Sequence, residues 1–196
     1  MPVHAPEPPA ASLTAARDGV RAFRRRGIAP FAEAPEDAEP ALTRPRRLYE
    51  VGRDDLLGAA GLAAARPVMW RYLVELDGRA VAFADTLTTP EGTTVLAQLN
   101  YGPFVAGVDE ALRVAEAPGA VDPDTDAESR LLHVPSLHLI AVWLHSPTGT
   151  DRLVPTAPAP EGFEAGRIYT LEEIRPELTA RAGLLPAPTP GDATGG

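Results

Sequence analysis

Cysteine and lysine are both missing from this chain of 196 residues, and asparagine and glutamine occur once each, as Asn100 and Gln98. Without cysteine there is no thiol nucleophile, disulfide framework or thiolate metal site. Without lysine, Schiff-base chemistry and a Walker-type phosphate loop are excluded. All 18 basic residues are arginine; with the abundant alanine this is the coding bias of a GC-rich bacterial genome, of the actinobacterial type. No apolar run approaches the roughly 18 residues that would suggest a membrane span. The segment Met1–Pro9 has neither the charged nor the apolar stretch of a secretory leader. A cytoplasmic protein is the expectation. The 27 acidic residues outnumber the basic ones and leave a net charge of −9. That argues against nucleic acid as the partner, because neutralising phosphates needs clustered cations.

Proline, at 22 residues, and glycine, at 17, are plentiful and crowd toward the ends. Three regions follow. Residues 1–47 read as an N-terminal tail, an arginine-rich helix over 12–26 and a proline-rich arm. Ser12 is placed to cap that helix. Leu13, Ala16, Val20 and Phe23 recur at helical spacing. Arg17, Arg21, Arg24 and Arg25 fall on the other face and in the last turn, where cations suit the helix dipole. Pro30, Pro35, Pro40 and Pro45 then argue against a helix or a central strand. Residues 48–185 read as a single α+β domain, and 186–196 as a disordered tail.

Within the domain, Gly58 and Gly61 weaken a helix expected over 54–66. Period-two alternation at Val68, Trp70, Tyr72, Val74 and Leu76 predicts a strand. Asp77-Gly78 then signals a type I′ hairpin returning through Arg79–Leu87. A two-residue turn fixes the register and pairs Leu76 with Arg79, Val74 with Val81, Tyr72 with Phe83 and Trp70 with Asp85. Ala80, Ala82 and Ala84 make a row of small side chains that a helix can approach closely. Thr93–Leu99 continues the meander, and Val105, Val108, Leu112 and Ala115 mark the inner face of a helix over 105–117, with Asp109 off that face. Leu137–His145 is apolar on both faces, as a covered central strand or a short buried helix would be. Arg152–Thr156 reads as an edge strand. Thr170-Leu171-Glu172-Glu173 is a capping box opening a last helix to Gly183, with Pro176 kinking or dividing it. The expected architecture is α+β, a mainly antiparallel sheet of about five strands built on the hairpin 68–87, with packed helices.

Candidate sites are few. Asp122, Asp124, Asp126 and Glu128 follow the spacing of a calcium loop only until Ala127 takes the place of its glycine. His133, His138 and His145 do not have zinc-pair spacing. Neither metal, cofactor nor catalytic residues are expected. A ligand pocket would draw on Asn100, Tyr101, His133 and His138. Arg17, Arg21, Arg24 and Arg25 would form a partner-binding face. The order hairpin, strand, loop, helix, with Asp77–Ala84 as its hairpin, resembles the central part of GNAT-type acetyltransferases. That resemblance implies acetyl-CoA pyrophosphate held by a loop of the form Q/R-x-x-G-x-G/A. Gln98 would take its first position, but Tyr101 and Pro103 stand where the glycines belong, and proline lacks an N–H. Two functions therefore stay open. One is a non-catalytic interaction or accessory protein, associating with a partner or with itself through residues 12–26. The other is a small-molecule domain, of the acyl-CoA-binding or acyltransferase-like kind.

Overall fold

Period-two alternation dominates the middle of the chain, and strands dominate the structure. The computed structural model describes residues 3–32, 34–35 and 38–184; the tail expected over 186–196 lies outside the described residues. In chain order the elements are β1 (Val3–His4), α1 (Ala10–Arg25), β2 (Ala41–Glu50), α2 (Arg53–Leu57), β3 (Arg66–Leu76), β4 (Arg79–Thr88), β5 (Thr94–Tyr101), α3 (Pro103–Glu116), β6 (Ala127–Val134), β7 (Leu139–His145), β8 (Arg152–Pro155), β9 (Tyr169–Thr170) and α4 (Leu171–Leu184). The strands form one sheet in the order β5-β4-β3-β2-β6-β7-β8-β9, with β1 beside β6. The class is α+β, and the sheet is mostly antiparallel, with parallel pairing only at β1–β6 and β2–β6 among the described residues. Five strands was an undercount.

Two of the missing strands, β1 and β2, lie in proline-rich stretches. β2 runs through the expected arm and sits inside the sheet, between β3 and β6. It tolerates Pro45 because its ladder with β3 skips from Thr43 to Arg46. Arg44 takes φ of 45° in this bulge, so the proline has no ladder hydrogen bond to give. β2 joins β6 only from Leu48 to Glu50. Upstream the two strands part, and β1 pairs instead with Ala127 and Glu128 of β6. Residues 3–11, read from the sequence as part of the N-terminal tail, thus include a strand and the start of α1.

Asp77 and Gly78 adopt φ of 49° and 76°, as a type I′ turn requires. Leu76 faces Arg79, but a bulge between Val74 and Glu75 moves the rest by one residue. Val74 therefore pairs with Ala82, Tyr72 with Ala84 and Trp70 with Thr86. A slip of one residue exchanges faces, so Ala82 and Ala84 share a face with Tyr72. α1 lies on that face, burying Ala16 and Val20 against them. A Cβ on Gly19 would stand only 2.3 Å from Leu96, so this residue lets α1 sit close to β5. Ser12 does not cap. It lies within α1, where its Oγ bonds the Tyr72 hydroxyl at 2.7 Å and Thr86 Oγ1 at 2.6 Å.

α3 covers the opposite face. Val105, Val108, Leu112 and Ala115 pack on Leu73, Phe83, Leu131 and Val142. Asp109 is buried as well, and reaches Arg113 and Arg44. β7 is the two-sided strand that its composition allowed, with Val142 and Leu144 toward α3 and Ala141 and Trp143 toward Ile174, Leu178 and Ala182 of α4. The helix expected over 54–66 is only α2 followed by a 3-10 turn at Gly61–Ala64, broken at Gly58 as its glycines foretell. β8 is not the outermost strand, since Arg152 and Leu153 pair with β9. The capping box forms, with Glu173 Oε2 accepting from the Thr170 N–H at 2.7 Å and the Glu173 N–H donating to Thr170 Oγ1 at 3.3 Å. α4 runs through Pro176 as one helix. The two faces thus differ: α3 lies on one, while α1 and α4 occupy opposite ends of the other.

Candidate functional site

The residues expected to form one ligand pocket are spread across the sheet. Asn100 and Tyr101 end β5, the outermost strand, and both are exposed. His133 lies on β6, beyond β4, β3 and β2, and its Nδ1 is 3.2 Å from Glu50 Oε2. His138 is exposed in the turn between β6 and β7, with φ of 51°. This left-handed residue resets the alternation, so His133 shares the α3 face while His145 shares the face of Trp143. The three histidines do not converge. Three acids of the 122–128 stretch are also taken singly: Asp122 by Arg152, Asp126 by His4, Glu128 by Arg130.

The arginines of α1 lie on the side of the helix away from the sheet. Arg17, Arg21 and Arg25 are exposed, while Arg24 donates to the Pro35 carbonyl at 3.1 Å. The helix beneath them is docked on the sheet: its inner face is buried and Ser12 is bonded to Tyr72 and Thr86. This cationic surface is therefore carried on a fixed platform.

Two concave sites escaped the sequence. The first opens where β2 and β6 part. A groove of about 860 Å3 runs between β1, the end of α3 and the 118–123 loop. Val3, Ala5, Pro118 and Val121 make it largely apolar, and Arg46 forms part of its wall. Arg46 is buried, donates to Ser129 Oγ at 2.9 Å and to the Pro45 carbonyl at 2.8 Å, and pairs with Glu116. Burial pulls its pKa below the ordinary arginine value, and the Glu116 carboxylate pushes it back up.

The second is a cleft of about 580 Å3 at the end of the β7–β8 hairpin, beside the start of α4. Asp151 lies opposite His145 there. Its carboxylate accepts from Trp143 Nε1 at 3.0 Å and from the Ser146 N–H at 2.9 Å. His145 Nδ1 stands 3.1 Å from Asp151 Oδ1. An ionised carboxylate only accepts, so Nδ1 carries the proton and Nε2 is left for other partners. The Trp143 ring meets His145 edge-on at 5.2 Å. Arg130 lies over Trp143 and Tyr49, at 5.1 and 4.6 Å, and donates from Nε to Glu128 at 2.7 Å. That hydrogen bond holds the Glu128 carboxyl below the usual glutamate value against the opposing effect of burial. One sequence clue to this cleft existed: His145 and Asp151 flank Ser146-Pro147-Thr148-Gly149-Thr150, a hairpin loop that makes them cross-strand neighbours.

Comparison with protein-family models, curated proteins and solved structures returns no match for this chain. Nor is any helix among the described residues long and apolar enough to cross a membrane.

Proposed function

We propose that this is a non-catalytic interaction protein that offers the arginine face of α1 to an acidic protein surface. The observation that carries the reading is the pairing of a fixed helix with exposed Arg17, Arg21 and Arg25, in a chain of net charge −9. A prepositioned helix needs little further ordering when it binds. Exposed ion pairs contribute only about 0–1 kcal/mol each, so several must act together, and salt weakens them. The test is capture by the full-length protein at low and high salt, set against the triple variant Arg17→Glu, Arg21→Glu, Arg25→Glu. These side chains are exposed, so the variant should melt as the wild type does. Partners held at low salt should be released by salt and lost in the variant. Self-association measured by sedimentation would identify the partner as a second copy. Retention of the same partners by the folded variant would overturn the reading.

A second reading, binding of a small apolar ligand, is favoured by the groove beside Arg46. An apolar cavity with few polar groups is the usual form of a ligand site. Decanoate and decanoyl-CoA would then raise the melting temperature of the wild type. They would leave that of Pro118→Trp, which fills the groove from its exposed rim, unchanged.

A further inference from the structure

We infer that the cleft at the β7–β8 hairpin is a binding site for a free α-amino acid with an apolar side chain. Three kinds of group meet there. The first is His145, held by Asp151 so that Nε2 offers a lone pair while the imidazole is neutral. Asp151 is itself fixed by Trp143 and Ser146, and its backbone carbonyl accepts from the Leu171 N–H at 2.9 Å. The acceptor is thus set by a network joining the hairpin to α4.

The second is a pair of opposite charges on α4. Arg175 and Glu172 both line the cleft, are exposed, and make no ion pair with any described residue. Other charged side chains nearby are paired, including Arg152, Arg130 and Arg181. A free guanidinium suits a carboxylate, which it can grip with two parallel hydrogen bonds. A free carboxylate and an imidazole lone pair suit an ammonium, which has three donors and no acceptor. A single anion would be opposed by Glu172 and a single cation by Arg175, whereas a zwitterion satisfies both.

The third is apolar surface from Leu171 and Pro176 on the same wall. It gives a branched aliphatic side chain somewhere to lie, and the volume of about 580 Å3 leaves room for it. The arrangement uses neither the α1 arginines nor the groove at Arg46, so it stands or falls independently of the proposed function.

The test uses the full chain and L-leucine, followed by calorimetry and by backbone amide shifts. Two analogues separate the contacts: 3-methylbutylamine lacks the carboxylate and 4-methylpentanoate lacks the ammonium. L-leucine should bind at least about tenfold tighter than either, the equivalent of one hydrogen bond to a charged group. Shifts should centre on residues 145–151 and 171–176. Arg175→Ala should remove the preference over the amine, and Glu172→Gln should reduce the preference over the acid; both positions are exposed, so folding is not at risk. Absence of leucine binding, equal affinity for the three compounds, or shifts centred elsewhere would overturn the assignment.

Discussion

Asp85 is the most demanding residue in the sheet. It is fully buried, receives two hydrogen bonds of 2.8 Å from Arg71 and a third, also 2.8 Å, from Gln98. Arg71 also lies 4.5 Å from the centre of the Phe83 ring. Removing one partner strands a charge in a dry place, so Asp85→Ala should cost about 3–5 kcal/mol in chemical denaturation. The double change Arg71→Met, Asp85→Leu should recover most of that loss, because nothing charged is left behind. Glu128 makes a gentler test. Its folded value is depressed, so its pair with Arg130 adds stability above the ordinary glutamate range and loses it as pH falls through the folded value. The melting-temperature gap between wild type and Glu128→Gln should be full at neutral pH and shrink as pH falls below about 4. Trp70, Tyr72 and Val74 were legible as one face of a strand; the partner of each was not. A bulge adds one residue without any mark in the hydrophobic pattern, and Val81 was that residue.

At the level of elements, α1 shows why a helix can be read correctly and placed wrongly. Its apolar stripe of Leu13, Ala16, Val20 and Phe23 is short. The stripe is nevertheless held, because small side chains on the sheet let it come close. Ala16 and Val20 meet Ala82 and Ala84, and Ser12 ties the helix to Tyr72 and Thr86. Burial pushes the Tyr72 hydroxyl pKa up despite the bond from Ser12, as expected for a phenol enclosed by the helix. Deleting residues 1–27 should therefore uncover this half of the sheet. The truncated chain should lose its cooperative thermal transition or melt far below the full chain, as followed by circular dichroism. β2 was invisible for a different reason. Four prolines within residues 30–45 outweigh its alternation by any propensity rule, and only tertiary pairing with β3 and β6 overrides them. The candidate cleft was half legible: His145 stood out as a histidine, but Asp151 became its partner only once β7 and β8 were paired.

Across the whole molecule, the connection from Arg26 to Pro40 joins two parts that are packed together, rather than a core and a free arm. Arg25 and Arg26 are exposed at its start, so trypsin should cut there early. The two fragments should nevertheless elute together on native size exclusion and separate only in denaturant. Elution of the N-terminal piece on its own would show that α1 is held less firmly than its burial implies.

The parting of β2 and β6 also sets an order on the assembly of the chain during its synthesis. β2 to β5 pair among near neighbours in sequence, as do β6 to β8, and such local pairings form early because they close short loops. The two halves meet through three residue pairs, Leu48–Leu131 to Glu50–His133, through α3, which packs on both β4 and β7, and through α2, which packs on α4. Val3 must wait for Ala127 before it has a partner at all. While the ribosome is still making the second half, the first can already form an antiparallel meander with one raw border along β2 and an empty place for the leading strand. The bulge at Arg44 and Pro45 falls on that border. A kinked, proline-bearing rim makes a poor template for another nascent chain, so the same irregularity that hid β2 from the sequence guards the unfinished sheet against premature pairing.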